Sequence, residues 1–189
     1  MKSIFGIALL CCFISAAHAQ MQLDSAKSSL FFVSVKNNSV GEVLTFDKLS
    51  GSVSKEGIAL LEIDLVSVNT QVETRDQRMR DHLFEVSDFP VATISTQVDM
   101  PAINALRVGE ELMTELKGEV NLHGEQANVF AQVLISKNAS GEIRVVTVSP
   151  ILVNARHFSL VEGIGILRKQ AGLTVISAIV PVSFSLVFK

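Results

Sequence analysis

Apolar and polar residues alternate with a period of two along most of the chain, in short runs separated by turn formers. That pattern predicts a succession of half-buried β-strands. In residues 28–36, Phe31, Val33 and Val35 share one face and Ser34 and Lys36 the other; Asn37-Asn38-Ser39 then reads as a turn. Residues 43–53 carry Phe46 and Leu49 and can bend at Gly51. In residues 58–68, Glu62 and Asp64 are expected to face water, which turns Leu61, Ile63 and Leu65 inward. Alternation resumes with Ala92, Ile94, Thr96 and Val98 inward, and residues 101–110 read as a loop. Residues 115–123 place Leu116, Gly118, Val120 and Leu122 inside and Lys117, Glu119, Asn121 and His123 outside. Beyond a tight turn at Gly124-Glu125, Val129, Ala131, Val133 and Ile135 form the inner face of the partner strand. Residues 143–148, with Val145 inward, come next. The last run alternates from Ile176 through Val182, Phe184 and Leu186 to Phe188, with Pro181 marking an edge-like or bulged point.

Two stretches break the pattern. Residues 67–93 turn polar and densely charged: Thr74 can cap a helix over 75–84 that carries Met79, Leu83 and Phe84 on its apolar stripe, and Pro90 disfavours helical geometry at Phe89. Residues 154–172 hold a second short helix over 160–171, with Arg168 and Lys169 suited to its last turn and Gly172 just past its end. The prediction is an all-β domain of about eight antiparallel strands with one or two short helices, the first a charged lid over the end of a barrel or sandwich.

The amino end changes the compartment. Lys2, an apolar run from Ile4 to Ile14 broken only by Gly6, and Ala17-His18-Ala19 predict a secretory signal peptide over residues 1–19, leaving one domain over 20–189. A lipoprotein signal modified at Cys11 or Cys12 is the rival, but the residues before them are not small. Both cysteines fall inside the removed segment, so the mature chain is predicted to make no disulfide, thiolate nucleophile or cysteine-based metal site. Removing Lys2 from 16 basic residues leaves 15 against 19 acidic ones, a net charge of −4, which argues against nucleic acid as a partner. The absence of Trp and Tyr, and the polar outer faces, argue against an outer-membrane barrel. The expected product is therefore exported to the periplasm or beyond it and does not span the membrane; the sequence leaves its oligomeric state open, a homodimer included.

Arg75-Asp76-Gln77-Arg78-Met79-Arg80, followed by Phe84-Glu85-Val86 and Phe89-Pro90-Val91-Ala92-Thr93, resembles the signature of the YceI-like family. Residues 63–70, residues 116–124 and the pair Phe46 and Gly51 are similar to further family patterns, while Arg78 stands where many members carry His. The resemblance implies a lipocalin-like, extended antiparallel eight-stranded β-barrel in the periplasm. It also implies an apolar pocket that in some members holds a polyisoprenoid, such as a prenyl quinone or prenyl phosphate.

On that reading the inward-facing Leu61, Ile63, Leu65, Ile94, Leu116, Val120, Val133, Val145 and Phe184 are candidate ligand-binding residues. Periodicity alone leaves open whether they line a tunnel or fill a core; small inward residues at Ala92, Gly118, Ala131 and Ala178 favour a tunnel. In the lid, Arg75, Asp76, Arg78 and Arg80 are candidates for an anionic or quinone head group, because the guanidinium fork matches phosphate oxygens. The competing reading is a solvated helix whose Arg–Asp pairs tie it to the barrel. His82, His123 and His157 have no metal-ligand partner at short spacing, and no catalytic motif is present. No metal, cofactor or enzymatic activity is expected. The alternative to a carrier is a filled barrel that acts as a structural or stress-related interaction module.

Overall fold

The computed structural model describes residues 19–189. The predicted signal peptide lies outside the described residues, except for Ala19, at which the first strand begins.

Among the described residues, twelve strand segments make eight staves. β1 (Ala19–Gln22) and β2 (Ser29–Lys36), separated by a short 3-10 turn, form the first. β3 (Val40–Phe46) and β4 (Leu49–Ser54) form the second, and β5 (Ile58–Asp64) with β6 (Val68–Asn69) the third. β7 (Val91–Gln97), β8 (Glu111–Leu122) and β9 (Glu125–Lys137) follow; β10 (Ile143–Thr147) with β11 (Ile151–Asn154) and finally β12 (Ile179–Phe188) complete the set. Every pairing is antiparallel. The order runs β1-β4-β5-β7-β8-β9-β10-β12-β2-β3-β6, with β11 on β12. Because the end of β1 also meets the end of β12, through backbone bonds between Gln22 and Lys189 and a bridge from Leu23, just past β1, to Phe188, the path returns on itself as an eight-stave barrel, the predicted fold class.

Local chemistry sets where staves bend and turn. Between β5 and β6 the Asp64 carboxylate accepts from the Val66 N–H at 2.9 Å, and the Ser67 hydroxyl donates to the Asp64 carbonyl at 2.6 Å, closing a single 3-10 turn. The β8–β9 turn falls at His123 and Gly124 rather than at Gly124-Glu125. Both have positive φ (56° and 76°), the primed geometry whose twist suits a hairpin. Pro181 lies where β12 stops pairing with β2, the last register pair being Val182 with Phe32, while its pairing with β11 continues. That strand is thus interior to the sheet, and the proline is tolerated because the β2 ladder ends beside it.

Among the described residues there are three α-helices: α1 (Glu73–His82), α2 (Met100–Ala105) and α3 (Val161–Gln170). α1 begins one residue before the expected cap. Thr74 lies inside it, and Asp76 reaches back from the first turn to accept the Thr70 N–H at 2.8 Å. α2 replaces the expected loop; Asp99 caps it by accepting from the Ala102 N–H at 3.0 Å, and Met100 and Ile103 are buried beneath it. α3 matches the predicted second helix, and Gly172 follows it at φ 64°. α1 and α3 cross at Gly163, where a Cβ would stand 2.3 Å from the His82 carbonyl oxygen and 2.8 Å from the Leu83 Cα. Only glycine allows that approach.

The two ends of the barrel differ. At the end where β5 begins and β9 and β12 finish, Val53, Met100, Ile103, Val133, Ile135, Ile143, Leu186 and Phe188 pack into a solid base. At the other end α1 and α3 form a roof over a space that side chains do not fill.

Candidate ligand cavity

The interior under the roof is a cavity of about 300 Å³. Inward positions of neighbouring staves wall it: Leu30 and Phe32 from β2, Leu44 and Phe46 from β3, Ile63 from β5, Ala92 and Ile94 from β7, Leu116, Gly118 and Val120 from β8, Val129 and Ala131 from β9, and Val182 and Phe184 from β12. Met79, Leu83, Leu160, Ile164 and Leu167 enclose it from the roof. Phe46 stacks on Phe32 with ring centroids 5.3 Å apart and lies tilted against Phe84 at 5.7 Å, so aromatic contacts join wall to roof.

One side of this apolar space is charged. Lys36, Glu42, Arg75 and Arg78 line the mouth. Lys36 pairs with Glu42. The Arg75 guanidinium donates to the same carboxylate at 2.6 Å and to the Thr70 carbonyl at 2.8 Å, while its buried Nε has no partner among the described residues. The hydrogen bond from Lys36 holds the Glu42 carboxyl below the usual carboxylate range; burial opposes this, and the charges of Lys36 and Arg75 add to it. Three cations face one carboxylate, so the mouth carries excess positive charge.

The residues singled out from the sequence divide by height. Ile63, Leu65, Ile94, Leu116, Val120 and Phe184 line the cavity. Leu61, Val133 and Val145 do not: they sit lower, in or against the packed core, where the tapering base leaves no space. Of the lid residues, Arg75 and Arg78 reach the mouth. Asp76 and Arg80 face away from it. Asp76 is buried in its bond to Thr70, and Arg80, itself largely buried, pairs with Glu73 at 2.5 Å and with Gln77. The Arg–Asp pairing expected of the lid is replaced by pairs to Glu42 and Glu73. His123, expected on the surface, packs its ring 4.5 Å from that of Phe89 and lies 3.0 Å from Glu85.

β2 supplies the residues that periodicity missed. The apolar set Phe31, Val33 and Val35 faces outward, and Leu30, Phe32, Ser34 and Lys36 line the cavity. The strand carries apolar residues on both faces at Leu30 to Val33, so parity had two solutions. Lys36, the single charged residue of the inward set, was the available signal, because it belongs to the charged mouth.

A closed antiparallel barrel with a roofed apolar cavity and a polar mouth defines a lipocalin-like binding protein. The chain belongs to the YceI-like domain family, whose model matches residues 21–188. It is 41% identical to a structure described as a polyisoprenoid binding domain from Saccharophagus degradans implicated in plant cell wall breakdown. That match has a TM-score of 0.88 and covers 90% of this chain and 98% of that one. BcnA of Burkholderia cenocepacia shares the fold at 19% identity, with a TM-score of 0.68 over 87% of this chain and 98% of that one. No curated protein matches the chain. Among the described residues, no helix is long and apolar enough to cross a membrane.

Proposed function

We propose that this protein is an exported, non-catalytic carrier that shelters a polyisoprenoid chain, as a prenyl quinone or prenyl phosphate, inside the roofed half of its barrel. The observation that carries this reading is a cavity with an apolar wall and a cationic mouth. The chain would lie against Ile63, Ile94, Leu116, Val120 and Phe184, and the head group would meet Arg75 and Arg78 with Lys36 beside them. The 41% identical polyisoprenoid binding domain supports the ligand class. Burial supplies the driving force: each 100 Å² of chain surface removed from water contributes about 2.5 kcal/mol before association costs. Signal-peptide cleavage after Ala19 would deliver the carrier to the periplasm.

The test is loading of the purified protein with a prenyl quinone and with a prenyl phosphate from detergent, followed by organic extraction and mass spectrometry. Ala131→Trp, which puts a large ring into the cavity, serves as the blocked variant. Near-stoichiometric ligand on the wild type and little on the folded variant is the expected result. An empty wild type, or a fully loaded Ala131→Trp protein, would refute the reading.

A further inference from the structure

Between β9 and β11 the barrel wall is not a sheet. The staves meet where the Gln132 carbonyl accepts from the Val148 N–H at 2.8 Å. Toward the roof, residues 125–131 of β9 pair only with β8, and β11 pairs only with β12. The slot they bound is closed at its far end by the 3-10 turn Ala155–Phe158, where Phe158 is buried and the Ser159 hydroxyl donates to Glu125 at 3.1 Å. A second cavity of about 280 Å³ occupies the slot. Val129, Ile151 and Val153 line both this cavity and the central one, so the two are neighbours across aliphatic side chains. On the outside, Phe130 and Leu152 belong to the strands that frame the slot and are 59% and 68% exposed.

We infer that this slot is a side opening of the central cavity and that its occupant is the far end of the prenyl chain. The inference rests on the reading given under Proposed function. The packed base blocks a chain that enters at the cationic mouth from continuing along the barrel axis. The central cavity, about 300 Å³, is at the small end of the range for ligand sites, so a long chain must leave it. The break in the wall offers an exit that costs no strand pairing, and rotation of Val129, Ile151 and Val153 joins the two spaces. Phe130 and Leu152 then cover the emerging chain, which accounts for two large apolar side chains in water beside a slot that neighbours the cavity.

The only cysteines in the sequence are Cys11 and Cys12. In a Cys11→Ser/Cys12→Ser background, Asn128→Cys places a single thiol in the slot without touching the central cavity wall. Its maleimide labelling rate is compared in protein that is empty, loaded with a short-tailed prenyl quinone, and loaded with a long-tailed one, with loading measured on the same samples. The long tail is expected to slow labelling about tenfold, corresponding to a slot vacated roughly a tenth of the time, and the short tail to leave the rate unchanged. Unchanged labelling with the long tail loaded overturns the side opening and leaves the central cavity reading intact, and so does equal protection by both tails. Failure of the quinones and of prenyl phosphates of the same tail lengths to load removes both. Leu152→Cys, on the outer face, gives the same comparison if the first variant does not fold.

Discussion

On the proposed carrier reading, single residues at the mouth decide what kind of head group can be held. Arg75 is committed to Glu42 and to the Thr70 carbonyl, so it serves as a fixed point of the mouth. Arg78 is exposed, lines the same mouth, and has no ion pair among the described residues, which leaves its guanidinium free for a ligand. Arg78→Ala is therefore expected to weaken retention of a prenyl phosphate by about fivefold to tenfold, the scale of one charge-assisted hydrogen bond at a partly hydrated site. A prenyl quinone of equal tail length should lose much less; the two dissociation constants, measured side by side, check this. Glu42 gives a pH prediction. Its carboxyl is depressed in the folded protein by Lys36 and Arg75, so the pair stabilises the fold above the ordinary carboxylate range and loses that contribution as pH falls through the folded value. Wild type should exceed Glu42→Gln in stability near neutral pH by at most about 1 kcal/mol, because the pair is partly exposed. The gap should close below about pH 4.5, the ordinary value for Glu. Urea midpoints of both proteins across that range supply the comparison; a gap that widens in acid would contradict the assigned pairing.

At the scale of elements, the roof depends on how closely α1 and α3 approach. Glycine inside a helix ordinarily costs about 1 kcal/mol against alanine, so Gly163→Ala would stabilise an isolated α3. Here the added methyl meets backbone of α1, which cannot swing aside as a side chain can. The expected sign is therefore reversed, with a net loss of about 1–3 kcal/mol in thermal or denaturant unfolding and faster ligand release. The helices also show what periodicity can and cannot read. α3 was legible because its basic last turn and Gly172 punctuate it. α2 was not, being six residues long and anchored by just Met100 and Ile103, too few positions to establish a period. Clean alternation in β8 and β9 placed Leu116, Val120, Val129 and Ala131 correctly. β2 inverted because Phe31 and Phe32 satisfy either parity, and its choice depends on the cationic mouth, a partner in space that no local pattern contains. Breaks in the staves were equally hidden: the Asp64–Ser67 turn is written in side-chain bonds to nearby backbone, with no Gly or Pro to announce it.

The whole molecule is a barrel with two mechanical halves, and this resolves what alternation left open, since inward residues of the same strand meet different surroundings at different heights. Leu61 and Ile63 sit two positions apart on β5, one in the packed base and the other on the cavity wall. The consequence is measurable as a split between stability and loading. Leu61→Ala removes a side chain surrounded on all sides, so it should cost about 2–5 kcal/mol of unfolding free energy while loading stays at the wild-type level in protein that remains folded. Leu116→Ala removes one whose inner side already faces empty space, so less packing is lost; the expected cost is about 1 kcal/mol or less. The same change takes apolar surface away from the ligand, so dissociation should accelerate, and the stabilisation conferred by saturating ligand, about 2.7 kcal/mol at a hundredfold excess over Kd, should shrink at fixed ligand concentration. Denaturant curves with and without prenyl ligand on the three proteins separate the two effects. Equal stability costs at both positions would mean that the upper half is packed like the lower one, and the carrier mechanism would lose its chamber. A split in the stated direction ties chain binding to the hollow half and leaves the base to hold the barrel closed when that half is empty.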